Sequence, residues 1–323
     1  MTTAVVVATR RWTERACDEL TRQFDVRLNQ EDHPLSLDEV RLRCEGATVL
    51  CPWGGDRLDA KFIASLPDSV KLIACISAGT EHVDIAAAAA RGIVVANTPD
   101  VVTEETADMT FALLLGLCRR LVQGDTLIRT GNWEGLSIDD PNSGSRVWGK
   151  TLGIIGLGGI GAAVAHRAAA FRMPVVYHSR SPKLEAEKEC NAYYCATLDE
   201  LLEISDVVSL HCPLTEQTRN LIDANALSKM KPSAVLINTA RGAVVDERAL
   251  SDALIQGKIA GAGLDVFVSE PAVGEHLTGL DNVLLSPHVG TATTETRDEM
   301  GLRVIENIKT FLSTGQPRDR VER

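Results

Sequence analysis

The chain has 323 residues, 45% of them hydrophobic and 24% charged, and its 44 acidic against 33 basic residues leave a formal net charge of -11. A chain of this length exceeds one ordinary core and suits two domains, and its acidic balance excludes electrostatic attraction to nucleic acid. No apolar run reaches the roughly 20 residues that span a bilayer, and Met1 to Arg11 lacks a signal-peptide core, so a cytoplasmic location without a membrane partner is expected.

The first predicted strand is Ala4 to Ala8, a short β-branched run, and a helical stretch follows from Glu14 to Gln23. Short apolar runs then alternate with helix-like segments at Ala47 to Cys51, Leu72 to Ile76 and Ile93 to Ala96. Such alternation predicts a parallel, doubly wound sheet. Ser77-Ala78-Gly79-Thr80 follows the run Leu72 to Ile76 as a turn, and His82 and Asp84 are expected to cap the next helix. A strongly apolar helix is predicted from Glu104 to Arg120. Leu136 to Arg146 is polar and rich in turn formers, which predicts a surface loop or arm; its paired Asp139 and Asp140 have no further ligand cluster around them, so no metal is expected.

A second cycle of strands is predicted at Thr151 to Ile155, Val175 to His178, Val207 to Leu210, Ala234 to Asn238, Gly263 to Val266 and Val283 to Leu285. Six strands with helical crossovers make a complete dinucleotide-binding sheet. The run Gly156-Leu157-Gly158-Gly159-Ile160-Gly161 lies between the first of them and an alanine-rich helix. Glycines at that spacing permit a tight turn and close approach of a pyrophosphate to the main chain, and the helix N-terminus offers its N–H groups to the phosphates. The amphipathic helix Thr294 to Ser313 then has no place in a completed sheet and is expected to return to the first domain. The eight cysteines, Cys44, Cys51, Cys75 and Cys118 among them, show no CxxC or metal-ligand spacing and are expected as reduced core residues.

With the glycine run stand three further motifs in order: Asn238-Thr239-Ala240-Arg241-Gly242, Leu264-Asp265-Val266-Phe267 leading to Glu270-Pro271, and Ser286-Pro287-His288-Val289-Gly290. Together they resemble the D-isomer-specific 2-hydroxyacid dehydrogenases over nearly the whole chain. Asn97-Thr98-Pro99 and Val102 to Asp108 resemble the glyoxylate and hydroxypyruvate reductase branch. The resemblance implies an α/β protein of two doubly wound parallel-sheet domains. A Rossmann cofactor domain, residues 99–289, would be inserted into a discontinuous flavodoxin-like substrate domain, residues 1–98 and 290–323.

It also implies NAD(P)-dependent reduction of small 2-keto acids such as glyoxylate and hydroxypyruvate. A planar guanidinium suits the carboxylate of such a substrate, which gives Arg241 that task, and imidazole suits proton transfer to the ketone oxygen, which gives His288 the other. The resemblance places Glu270 on the second ring nitrogen, where a carboxylate fixes the ring and favours its charged form. It adds main-chain contacts from Ser77, Ala78 and Gly79 to the substrate carboxylate, alongside Arg241 and His288. Cofactor contacts are implied for Gly156, Gly158, Gly159, Ile160 and Gly161, for Thr106, and for His211, Cys212, Pro213 and Thr218. Thr239, Ala240 and Gly290 join them, with Asp265 accepting from the carboxamide.

The acid that holds an NAD ribose belongs at the end of the second strand, roughly 20 residues past the glycines. Ser179-Arg180-Ser181 stands there instead, with Lys183 near, so NADP is expected over NAD: Arg180 and two hydroxyls suit a 2′-phosphate. Gly159 replaces the arginine common in the family's run. A homodimer is expected from the family through residues 104–148. Alternative readings are an NAD-linked D-2-hydroxyacid or phosphoglycerate dehydrogenase, or a dinucleotide-sensing corepressor with little turnover.

Overall fold

The computed structural model describes residues 4–140 and 143–322. Among these, the chain divides into two compact units, Met1–Val102 with Thr291–Arg323, and Thr103–Gly290. The first runs β1 (Val5–Ala8), α1 (Glu14–Gln23), β2 (Asp25–Leu28), α2 (Leu37–Arg43), β3 (Val49–Cys51), α3 (Ala60–Ser65), β4 (Leu72–Ala74), α4 (Ile85–Ala90) and β5 (Val94–Ala96). The second opens with α5 (Thr103–Cys118) and α6 (Leu121–Arg129), then β6 (Leu152–Ile155), α7 (Gly159–Ala170), β7 (Val175–His178), α8 (Leu184–Cys190), β8 (Ala192–Tyr194) and α9 (Leu198–Ile204). It continues with β9 (Val207–Leu210), α10 (Ala224–Lys229), β10 (Val235–Asn238), α11 (Glu247–Ile255), β11 (Gly261–Leu264), α12 (Glu275–Thr278) and β12 (Val283–Leu285), and α13 (Thr294–Thr314) closes the chain in the first unit.

The first unit's sheet is parallel in the order β2-β1-β3-β4-β5, the flavodoxin-like order expected of it. Side chains alternate across its pleat. Val6, Ala8, Leu72 and Ala74 share one core with Ala16 and Leu20 of α1 and Met300 and Val304 of α13. Val7, Leu50 and Ile73 face Val40, Phe62, Ile63 and Ala88 of α2, α3 and α4. A sheet covered on both faces buries continuous apolar runs, which is why these strands read as such.

The second unit's sheet is also parallel, in the order β12-β11-β10-β9-β6-β7-β8. It has seven strands where six are expected, because β8 is an edge strand of three residues with Tyr193 exposed. The other strand without a sequence signal, β2, is likewise an edge, and its Asp-Val-Arg-Leu pattern has no fully buried position. A third difference concerns β11, which runs Gly261–Leu264 rather than Gly263 to Val266. Glycine is a weak strand former, yet at Gly263 an added Cβ would come within 3.1 Å of Leu113 of α5, so the small residue is what lets that helix lie on the strand.

Because all seven strands are parallel, the segments after their C-terminal residues gather at one end of the sheet. Gly156 follows β6, Ser179 β7, His211 β9, Thr239 β10, Asp265 β11 and Ser286 β12. Strand order reverses between β6 and β9, the position at which open α/β sheets bind ligands.

Candidate active site

The glycine loop turns at Gly156, whose φ of +98° suits a residue without Cβ. A Cβ there would also strike the main chain of His211 and Cys212 at 2.8 Å, so the loop lies directly on the end of β9. Gly158 caps α7, and a Cβ on it would meet nothing within 4 Å. Its main chain, with Gly159, Ile160 and Gly161 opening the helix, is therefore open to a ligand at a helix N-terminus. These features fit the pyrophosphate of a dinucleotide.

The segment after β7 leans back on this loop. Ser179 Oγ accepts from Leu157 N at 3.0 Å, so its hydroxyl steadies the glycine loop. Arg180 and Ser181 are exposed, and among the described residues Arg180 makes no hydrogen bond or ion pair. Sequence reasoning missed Tyr177. Its buried hydroxyl accepts from Lys183 N at 2.7 Å and donates to Glu187, closing the loop that carries Arg180. Burial and the bond to Glu187 push this phenol up to about 12, so it remains a donor.

His211 Nε2 lies 2.8 Å from Ser209 Oγ, and burial pushes the imidazole down to about 3. It is a neutral ring and brings no charge to phosphates. Burial likewise lifts the Cys212 thiol to about 11, so no thiolate stands beside Pro213. Thr218 Oγ1 donates to Pro213 O at 2.6 Å and thereby shapes the turn after β9.

At the other side of the sheet the side chains are held tightly. His288 Nδ1 is 2.6 Å from Glu270 Oε2, and Glu270 Oε1 accepts from Phe267 N at 2.9 Å. Partial burial raises the Glu270 carboxyl, but the bonds from His288 and the Phe267 main chain, with the charges of His288 and Arg241, outweigh it and hold the group below its ordinary value. The His288 side chain is half exposed, leaving its ring reachable. Its loop is fixed from below by Asp265, 2% exposed, whose Oδ1 and Oδ2 accept from Val289 N at 2.9 Å and Gly290 N at 2.8 Å. The motif gives Asp265 to the cofactor; the geometry adds this hold on the loop carrying His288. A carboxylate has about four acceptor sites, so both uses are compatible.

Arg241 follows β10 on the turn Asn238-Thr239-Ala240. Its Nη1 donates to Ala240 O at 2.7 Å, and Thr239 Oγ1 pairs with Thr110 Oγ1 of α5 at 3.0 Å. Thr106, one turn earlier on α5, is buried and its carbonyl accepts from Thr110. Gly242 completes the arrangement, since a Cβ there would fall 2.0 Å from the Phe267 carbonyl carbon. Only glycine lets the Arg241 segment press against the one that leads to Glu270.

In the first unit, Ser77, Ala78 and Gly79 form a turn whose carbonyls are all engaged, by Thr98 N, Asn97 Nδ2 and Ser77 Oγ respectively. In trans peptides this directs the N–H groups of Ala78, Gly79 and Thr80 the opposite way. The cap of α4 is Asp84 alone, accepting from Ala87 N at 2.9 Å, while His82 uses its carbonyl to accept from Leu58 N. The loop expected to be polar at Leu136 to Arg146 exposes Leu136 and Ile138 fully; its Pro141 and Asn142 lie outside the described residues. Among the described residues no helix is long and apolar enough to cross a membrane, and no three acids, histidines or cysteines cluster as metal ligands.

Residues 111–290 match the family model for the NAD binding domain of the D-isomer specific 2-hydroxyacid dehydrogenases. The glyoxylate reductase of Pyrococcus furiosus is 41% identical over 309 residues, 95% of this chain and 91% of that protein. Among solved structures, the glyoxylate reductase of Paecilomyes thermophila superposes with a TM-score of 0.87 at 35% identity, covering 99% of each chain. The NADPH-dependent glyoxylate/hydroxypyruvate reductase of Sinorhizobium meliloti, in complex with NADP and malonate, gives 0.88 at 35% identity over 99% of this chain and 97% of that one.

Proposed function

The chain belongs to the D-isomer-specific 2-hydroxyacid dehydrogenases, in their glyoxylate reductase branch, and is an NAD(P)-dependent 2-keto acid reductase; from that premise we propose that it reduces glyoxylate and hydroxypyruvate with NADPH. The observation that carries the reading is the 2.6 Å pair of His288 and Glu270 beside Arg241, at the C-terminal end of a dinucleotide-binding sheet.

A bound nicotinamide would supply the hydride, two electrons and one hydrogen, that the substrate's carbonyl carbon needs. The chain's own residues do the rest. Arg241 holds the substrate carboxylate through its planar fork and draws charge toward the adjacent carbonyl oxygen. His288 gives that oxygen the proton that completes the hydroxyl, and Glu270 keeps the ring oriented through its bond to Nδ1. The product is the 2-hydroxy acid, of D configuration where it is chiral. In the first unit, the turn of Ser77, Ala78 and Gly79 offers the main-chain N–H groups of Ala78, Gly79 and Thr80, which suit a carboxylate.

NADP over NAD is supported by Arg180 after β7, which has no partner among the described residues, and by the lack of an acid in Ser179-Arg180-Ser181. The same reading includes a cytoplasmic location and a homodimer. Leu121, Val122, Ile128, Trp133, Leu136 and Ile138 are all exposed within one stretch, apolar surface that a second copy would cover in such a dimer. Steady-state kcat/KM for glyoxylate, hydroxypyruvate and phenylpyruvate with each reduced cofactor tests the proposal. Preference for the two small acids with NADPH is expected; preference for NADH, or for phenylpyruvate, overturns that part of it.

A further inference from the structure

Asn238 ends β10 with 1% exposure, and both ends of its carboxamide serve the turn that carries Arg241. Oδ1 accepts from Ala240 N at 3.0 Å, and Nδ2 donates to Arg241 O at 3.0 Å. Between those two bonds lies the peptide of residues 240 and 241, whose carbonyl accepts from Arg241 Nη1 at 2.7 Å. The amide therefore pins the peptide planes on either side of the one against which the guanidinium rests. Its own carbonyl accepts from Asp265 N at 3.0 Å, which joins this turn to the strand end that holds the His288 loop.

We infer that Asn238 is the positioning residue for Arg241, setting the direction of the guanidinium through the turn rather than by touching substrate. The inference rests on the reading of Arg241 as the carboxylate holder. Removing the carboxamide leaves the Ala240 N–H without its partner and the Arg241 carbonyl with Val244 N alone, at 3.2 Å, in a partly buried turn. They turn to find others, and the oxygen that supports Nη1 turns with them. The fold is not what the amide chiefly serves, because Thr239 and Gly242 hold the same segment by contacts of their own.

The test is a cycle of Asn238→Ala, Arg241→Ala and the double variant, assayed with glyoxylate and NADPH. Asn238→Ala is expected to lower kcat/KM by about tenfold, mainly through KM for glyoxylate, with NADPH affinity within about twofold. In the Arg241→Ala background the further loss should stay under about twofold, since no guanidinium remains to be placed. An equal loss in both backgrounds, or a loss of Tm with unchanged kinetic constants, overturns the inference while leaving the role of Arg241 standing. Normal kcat/KM in Arg241→Ala overturns that role and the inference with it. Should Asn238→Ala fail to fold, Asn238→Asp decides. Its ionised oxygen opposes the Arg241 carbonyl, whereas its protonated form donates there, so its activity relative to wild type should rise as pH falls; a flat ratio overturns the inference.

Discussion

The two sides of the second unit's sheet end are built by opposite means. Beyond β6 and β7 the chain leaves positions open: Ser179 holds Leu157 N, but Gly158 faces open space, and Arg180 has no partner among the described residues. Beyond β10, β11 and β12 it commits polar ones, with the buried Asn238 and Asp265 and the more exposed Glu270 each spending side-chain atoms on neighbouring main chain. A nucleotide can supply the missing contacts on the first side when it binds. Proton transfer requires geometry set in advance, and the second side provides it without a ligand.

The largest effect should come from the committed side. His288→Gln is expected to lower kcat by about 10²–10⁴-fold while NADPH affinity, measured by fluorescence titration, hardly moves. Turnover near wild type would erase the division of labour. On the open side, Arg180→Ala should reduce kcat/KM with NADPH by about 10–100-fold and leave NADH nearly unchanged; equal losses would mean that the arginine does not read the 2′-phosphate.

A pair of glycine substitutions sharpens the contrast. Gly242→Ala forces a Cβ into the Phe267 main chain and should cost about 1–3 kcal/mol of stability, seen as a lower urea midpoint. Gly158→Ala should leave that midpoint nearly in place and raise KM for NADPH instead. The reverse pattern would show that the fold, not the ligand, requires the opening.

The smallest effect is in the pH dependence of Tm. His211 has its folded pKa near 3 against an ordinary 6.5, so below 6.5 the unfolded chain takes up the proton first and stability falls until about pH 3. Glu270 also loses its contribution in acid, but only as pH falls below its ordinary 4.5 toward its lower folded value. His211→Gln should therefore flatten the Tm profile between pH 6.5 and 4.5. A profile identical to wild type would mean that the ring is not held neutral.

The sequence was most legible where chemistry needs one residue type or a strand is apolar on both faces. Strands such as Val175–His178 and Val207–Leu210 stand at their expected bounds, because a central parallel strand cannot hide its hydrophobic run. Edge strands β2 and β8, unlike the wholly apolar edges β5 and β12, carry charged or exposed residues such as Asp25, Arg27 and Tyr193 and leave little pattern to read. In the site, Arg241, Glu270 and His288 follow from their motifs. What supports them does not: an Asn before Thr-Ala-Arg and a Tyr inside Val-Val-Tyr-His read as ordinary turn and strand residues until their buried partners are seen. Asp265 falls between these cases, since its motif gives it to the cofactor while its hold on Val289 and Gly290 depends on two segments distant in sequence.

The return of α13 to the first unit bears on the order in which the protein is made. Residues 103–290 are contiguous and can fold as soon as they leave the ribosome, whereas α1 waits with Trp12 and Ala16 uncovered for a helix synthesised almost last. The fit it waits for is close, for a Cβ at Gly301 would come within 2.5 Å of that of Ala16. Asn307 then bonds Asn97 O and Asp319, and the segment from Asp319 to Val321 lies along β5. The half of the protein translated first is thus the half completed last, and a nascent chain halted near residue 290 would carry a finished nucleotide-binding unit behind an exposed apolar face.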